Sequence, residues 1–593
     1  MTRLAILFLA AALCTFTLGF SGSSAAAPDS PRFKPARCFS ATGLTEGATM
    51  RCGTVQVPMG GTSNRDVTLF VTIIGRNTTD AKQALFHIPG GPGVSAESYA
   101  PILASTYLPL SDAIGKPIIF VDQRGTGRSK PFLDCTDLSA PAACRAAWAS
   151  AKIDPLAFTT PFAADDIAAV ASALGLTSID AWGASYGSRL ALETVRRHGD
   201  LVRSLVIESV DTADSPLDDA LDVRAALTRV GAECAGNPEC QAVIPNLVAA
   251  TDAAAVSLAK TPLVTQLGTV DSATFLSDVS TLMEWARGTS FVPAYVAAVR
   301  DRNLAAVEAF RGAIAAMPSP GGQFSAAIYT MVNCTDLAPF KPATAISRHV
   351  VPASDLLGQA RAAGVLDQYS TSCSGWPVDP NLPTQPVKSN VPTLVLSGAI
   401  DSNTPLENAQ FAASRLSNAS IVVSPSTGHF SVHQGENPCG TSILVAFVAN
   451  PTAPLNTSCL AAARPVAMLP STANISVKSA QFTALGFNAD VPEGWLSLDR
   501  MTWRTAGGVL QFARVPGRIG ANLNTVSGQL GLDPAKAAPL MIGTQKWTQV
   551  GGPGVSLLVY PEKASVLMVV AVLSDGSDAA SLAKRAAQSI TTP

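Results

Sequence analysis

Gly183-Ala184-Ser185-Tyr186-Gly187 sets one serine between two glycines, and the flanking segments give that serine a use. Upstream, Ile179-Asp180-Ala181-Trp182 reads as a short buried strand. Downstream, Ser188 to Arg197 has helical spacing, with Leu190, Ala191, Thr194 and Val195 on one side. A turn from strand to helix over so few residues is cramped, and glycine tolerates the crowding. The turn would hold the Ser185 hydroxyl up and exposed. The helix N-terminus behind it favours negative charge. The chemistry this suggests is nucleophilic attack on a carbonyl.

A serine hydroxyl needs a base to take its proton. Strand, Gly-x-Ser-x-Gly and helix in that order form the nucleophile elbow of an α/β-hydrolase, where the triad follows as serine, acid, histidine. The chain has five histidines. His87 and His198 lie before or beside the elbow, and His349 lies in an insertion. His429 and His433 follow the last strand of the sheet pattern. Gly428-His429-Phe430 suits a loop bending over the sheet's carboxyl edge, so His429 is the expected base and His433 its rival. The strand 392–397 runs into Gly398-Ala399-Ile400-Asp401-Ser402-Asn403-Thr404-Pro405. Asp401 there could orient the histidine ring; it could equally cap its own turn, since the segment has good turn chemistry. The expected oxyanion donors are the backbone N–H groups of Tyr186 and of Gly91, in the glycine loop after strand 84–88. Pro92 has no N–H to offer.

Those residues need a sheet to position them. Apolar runs at 67–74, 84–88, 117–121, 179–182, 201–207, 392–397 and 419–423 alternate with helical stretches. That alternation implies a parallel sheet with helices on both faces. From 214 to 385 long Ala-rich helical stretches replace it, and no new buried strand stands out. Past 465 come short strands, 509–512, 555–560 and 565–573, and a last helix over about 578–589. The reading is a core at 35–213 and 386–464, a helical cap insertion at 214–385, and a small C-terminal α+β domain at 470–593 to which the sequence assigns no role.

At 593 residues the chain is too long for one ordinary core. Hydrophobic residues at 47% and charged residues at 14% indicate a globular chain. A net charge of −2, with no basic cluster, argues against nucleic-acid partners. Residues 1–27 resemble a cleaved secretory signal: Arg3, the apolar run Leu4–Leu13, then Ser24-Ala25-Ala26-Ala27. No later segment is long and apolar enough to span a bilayer. Removing Cys14 leaves ten cysteines. Taken as sequential neighbours they give five local disulfides in an oxidising compartment: Cys38 with Cys52, Cys135 with Cys144, Cys234 with Cys240, Cys334 with Cys373, and Cys439 with Cys459. No metal site is expected, because no Cys-x-x-Cys pair occurs. The loop Pro89-Gly90-Gly91-Pro92-Gly93 lacks the lysine and spacing of a phosphate cradle. Asp122-Gln123-Arg124-Gly125 is expected to tie down a turn near the site.

His87-Ile88-Pro89-Gly90-Gly91-Pro92-Gly93, Asp122 to Ser129 (DQRGTGRS) and Gly183 to Gly187 together resemble the proline iminopeptidase family of α/β-hydrolases, and within it the secreted bacterial tripeptidyl aminopeptidases. The resemblance covers about residues 35–460. It implies a secreted or periplasmic serine exopeptidase acting on peptide substrates, with no cofactor. It also implies an anion for the substrate's ammonium, for which Glu208, Asp211 and Asp336 are the candidates. An esterase with the same triad is the first alternative, and a binding protein on a hydrolase scaffold the second. In one respect the chain departs from the family: Ile88-Pro89 separates His87 from Gly90, which leaves His87 without an assured role.

Overall fold

The computed structural model describes residues 31–590 outside a set of short stretches, the longest being 338–353 and 463–476. Residues 1–27, His349 and His433 lie outside the described residues. Among the described residues nine strands form the main sheet: β1 (Phe33–Pro35), β2 (Met50–Gly60), β3 (Ser63–Ile74), β4 (Gln83–Ile88), β5 (Ile118–Asp122), β6 (Ser178–Ala184), β7 (Val202–Glu208), and, after a short hairpin of β8 (Leu263–Thr265) and β9 (Gly268–Val270), β10 (Thr393–Gly398) and β11 (Ala419–Ser424). The spatial order is β1-β2-β3-β5-β4-β6-β7-β10-β11. From β5 onward the neighbours run parallel. β1, β2 and β3 pair antiparallel at the edge. The hairpin β8–β9 was not legible in the Ala-rich insertion, since each of its strands has only three residues.

The central strands are short apolar runs because both faces are covered. Successive residues divide between two cores. Ala181, Leu205, Ile207 and Val395 face the helices Thr160–Ala173 and Tyr186–His198. Trp182, Val206, Leu394 and Leu396 face the layer that holds Leu103, Tyr107 and Phe447.

Helices between Asp219 and Asp367 form the insertion, and Leu227, Phe275, Tyr295 and Phe310 pack in their shared core. Beyond 476 a seven-stranded antiparallel sheet forms, and the helix Ala579–Gln588 covers one face. Leu567, Val569 and Ala571 of strand Ser565–Leu573 point to that helix. Val566, Met568 and Val570 alternate with them and join the core of the insertion. The uniformly apolar run at 565–573 thus has two buried faces, the second against the cap.

All five disulfides join the sequential neighbours: Cys38–Cys52, Cys135–Cys144, Cys234–Cys240, Cys334–Cys373 and Cys439–Cys459. No helix among the described residues is long and apolar enough to cross a membrane.

Candidate active site

Ser185 follows the last residue of β6 and precedes the helix Tyr186–His198. Its backbone sits at φ 56°, ψ −129°. That conformation costs a non-glycine residue about 1–3 kcal/mol and persists only where the surroundings impose it. Here they do so by contact. A Cβ on Gly183 would lie 2.0 Å from the Gly187 carbonyl oxygen, and a Cβ on Gly187 would lie 2.0 Å from that of Ile88. No larger residue fits either position. The Ser185 amide donates to the Glu208 carbonyl at 2.9 Å, which continues the β6–β7 ladder past Ala184.

Tyr186 opens the helix, so its N–H has no acceptor within that helix. The glycine loop lies directly over the serine: a Cβ on Gly90 would sit 2.9 Å from Ser185 Cβ and 3.4 Å from its Oγ. Gly91 follows at φ +109°.

Asp401 and His429 meet at the same carboxyl edge, one past β10 and one past β11. Both side chains are fully buried. His429 Nδ1 lies 2.9 Å from Asp401 Oδ2. Asp401 Oδ1 accepts the N–H groups of Asn403 and Thr404, each at 2.9 Å. The carboxylate therefore caps its own turn with one oxygen and contacts the imidazole with the other. Thr404 adds a hydroxyl that donates to Asp401 Oδ2 at 2.8 Å and sits 2.9 Å from His429 Nδ1. Sequence reasoning missed Thr404. Its signal was present in Asp-Ser-Asn-Thr, where a turn brings the fourth residue back to the first. Close packing holds the two loops together, since a Cβ on Gly398 would meet the Thr427 carbonyl oxygen at 2.2 Å.

The three carboxylates considered for the substrate's ammonium stand in different surroundings. Glu208 is spent on the fold: Oε1 accepts Val432 N–H at 2.6 Å and Oε2 accepts the Trp182 indole N–H at 3.1 Å. Asp211 pairs with Arg189 at 2.5 Å and is partly exposed. Asp336 is buried at 3% exposure, and its Oδ2 accepts the Thr160 hydroxyl. Its Oδ1 has no hydrogen-bond partner among the described residues. Burial pushes the Asp336 carboxyl up to about 6, against the pull of Arg189. Thr160 Oγ1 also lies 2.9 Å from the Tyr186 hydroxyl, which ties Asp336 to the residue after Ser185. A cleft opens at Asp336, between the helices Tyr186–His198 and Leu406–Ala413; Thr160, Glu193 and Thr212 line it, and Ser185 and His429 do not.

Asp122 to Ser129 forms a turn held by its own hydrogen bonds, from the Thr126 hydroxyl to the Gln123 carbonyl and from the Ser129 hydroxyl to the Asp122 carbonyl. Asp122 accepts the N–H groups of Ala96 and Arg128, each at 2.8 Å. Burial nevertheless raises its carboxyl to about 6. Arg124, 2% exposed, forks onto Asp166 at 2.6 and 2.7 Å and donates to the Met59 and Ala157 carbonyls. Gln123 donates to the Tyr186 hydroxyl at 3.0 Å. His87 lies inside the aromatic layer below the strands, with Nε2 3.1 Å from the Tyr107 hydroxyl and its ring edge-on to Trp182.

Comparison with known proteins fits this geometry. Residues 83–230 match the family model described as alpha/beta hydrolase fold, and residues 360–459 match that of TAP-like protein. No curated protein sequence matches the chain. Similar solved structures include the proline iminopeptidase of Mycobacterium smegmatis, 20% identical over 67% of this chain and 98% of that one, with a TM-score of 0.31. A thermophilic esterase from Thermogutta terrifontis is 16% identical over 68% of this chain and 99% of that one, with a TM-score of 0.29. A proline iminopeptidase-related protein from Thermus thermophilus is 17% identical over 68% and 93%, with a TM-score of 0.26. The elbow, the glycine loop and the buried Asp401–His429 pair lie on one edge of a mainly parallel sheet, and the chain has the α/β-hydrolase fold, with its residues 360–459 matching the TAP-like model.

Proposed function

We propose that the chain is an exported serine exopeptidase that releases residues or short peptides from free N-termini through an acyl-enzyme. The observation that carries this reading is the buried Asp401–His429–Thr404 cluster past the carboxyl ends of β10 and β11, in the same sheet whose β6 leads into the strained elbow of Ser185. In the proposed cycle His429 takes the proton of Ser185, and Ser185 Oγ bonds to the peptide carbonyl carbon. Asp401 keeps the imidazole in the useful tautomer and stabilises the imidazolium. The N–H groups of Tyr186 and Gly91 hold the oxyanion; losing one such donor costs about 3 kcal/mol. His429 then protonates the leaving amine, and water, deprotonated by the same imidazole, releases the acyl group.

The TAP-like match over residues 360–459 supports the peptidase choice. So does Asp336, whose buried Oδ1 keeps hydrogen-bonding capacity for an ammonium while Glu208 and Asp211 serve other groups. Five disulfides support an oxidising, extracytoplasmic location.

The test compares kcat/KM on peptide amides with a free N-terminus, their N-acylated forms, and simple esters. The proposal expects the free-amine amides to lead. Turnover of esters alone would make the protein an esterase. Wild-type protein that a fluorophosphonate fails to label, with Ser185→Ala as the control, would remove the serine mechanism.

A further inference from the structure

Glu208 is a buried carboxylate that the proposed cycle does not use. It ends β7 and is 1% exposed. Three of its bonds reach the two halves of the site. Its carbonyl oxygen accepts the Ser185 N–H at 2.9 Å. Its Oε1 accepts the N–H of Val432, three residues after His429, at 2.6 Å. Its Oε2 accepts the indole N–H of Trp182, three residues before Ser185, at 3.1 Å. The indole is fully buried, with the His87 ring packed against it 4.4 Å away between centroids. Trp182 therefore has little freedom to turn its N–H elsewhere.

We propose that Glu208 is a positioning residue that joins the nucleophile's strand to the loop of His429, and that it can do this only as a carboxylate. The assignment rests on the serine mechanism above. Both of these side-chain oxygens face an N–H donor. Glutamine has one acceptor oxygen and one NH₂. In either orientation a Glu208→Gln amide turns its NH₂ against a buried N–H, and one donor loses its acceptor. The mismatch falls on Val432 or on Trp182. If the loop yields, His429 moves away from Ser185, and a displacement of about 1 Å can cost roughly 100-fold in rate.

The test follows the fluorophosphonate labelling rate of Ser185 and the kcat and KM of a peptide amide, with thermal unfolding as the check on folding. Glu208→Gln should label roughly 10- to 100-fold more slowly, with the loss in kcat and KM little changed. The double variant Glu208→Gln/Trp182→Phe removes the indole donor, so the amide NH₂ no longer meets an N–H and its oxygen can serve Val432. It should recover at least tenfold of the lost rate, with Trp182→Phe alone as reference. A folded Glu208→Gln protein within twofold of wild type would overturn the assignment. So would a double variant no faster than the single one, or one that fails to fold alongside it. Wild type that does not label would instead overturn the serine mechanism itself.

Discussion

Replacing Asp336 with asparagine should make the protein more stable and less selective at the same time. The carboxyl is 3% exposed and stands at about 6 in the fold against 3.8 ordinarily, chiefly because burial disfavours its charge. Between those two values the folded chain holds a proton that the unfolded chain has lost. Its contribution to stability therefore falls as pH rises through that window. Above about pH 6 the fold bears an ionised buried group, at a cost of about 3 kcal/mol. Asparagine cannot ionise, and its oxygen can still accept from Thr160. The melting temperature of Asp336→Asn relative to wild type should thus rise from pH 4.5 to pH 7.5 by a few degrees. Activity should move the other way. A buried ammonium–carboxylate pair that loses its anion costs at least about 3 kcal/mol. The kcat/KM ratio of free-amine over N-acylated substrate should then fall roughly 100-fold at pH 7.5. The ratio cancels any effect that bears equally on both substrates. In wild type the ratio should climb between pH 5 and 7 as Asp336 ionises, and in the variant it should stay flat. A ratio within twofold of wild type would refute the amine role. A melting difference that does not change with pH would refute the reasoning from burial.

Two further substitutions test the supports of the site. Thr404→Val removes the hydroxyl shared by Asp401 and His429; kcat should drop roughly tenfold with KM unchanged, as expected for a hydrogen bond to a charged group. An unaltered kcat would reduce Thr404 to a turn residue. Arg124→Met strands the buried Asp166 carboxylate and should destabilise by about 3–5 kcal/mol, with most of the loss restored by Arg124→Met/Asp166→Leu. A loss below about 1 kcal/mol in a denaturant titration would show that the pair is dispensable.

The sequence alone determined the elbow, the strands around it and where in the chain each proposed triad member stands. These are local matters: an apolar run long enough for one strand, glycines at the two ends of one turn, a histidine just past the last strand. Neighbouring cysteines likewise met their sequence partners, because short loops bring them together. The roles of the carboxylates were not legible. Glu208 stood as a candidate for the substrate amine, yet its two oxygens hold Trp182 and Val432, the latter 224 residues away. Nor could the run Ser565–Leu573 reveal that one face covers a helix and the other the cap, since both faces are equally apolar. A side chain's type shows which bonds it can make, but only packing decides which partner reaches it first and whether water remains to compete.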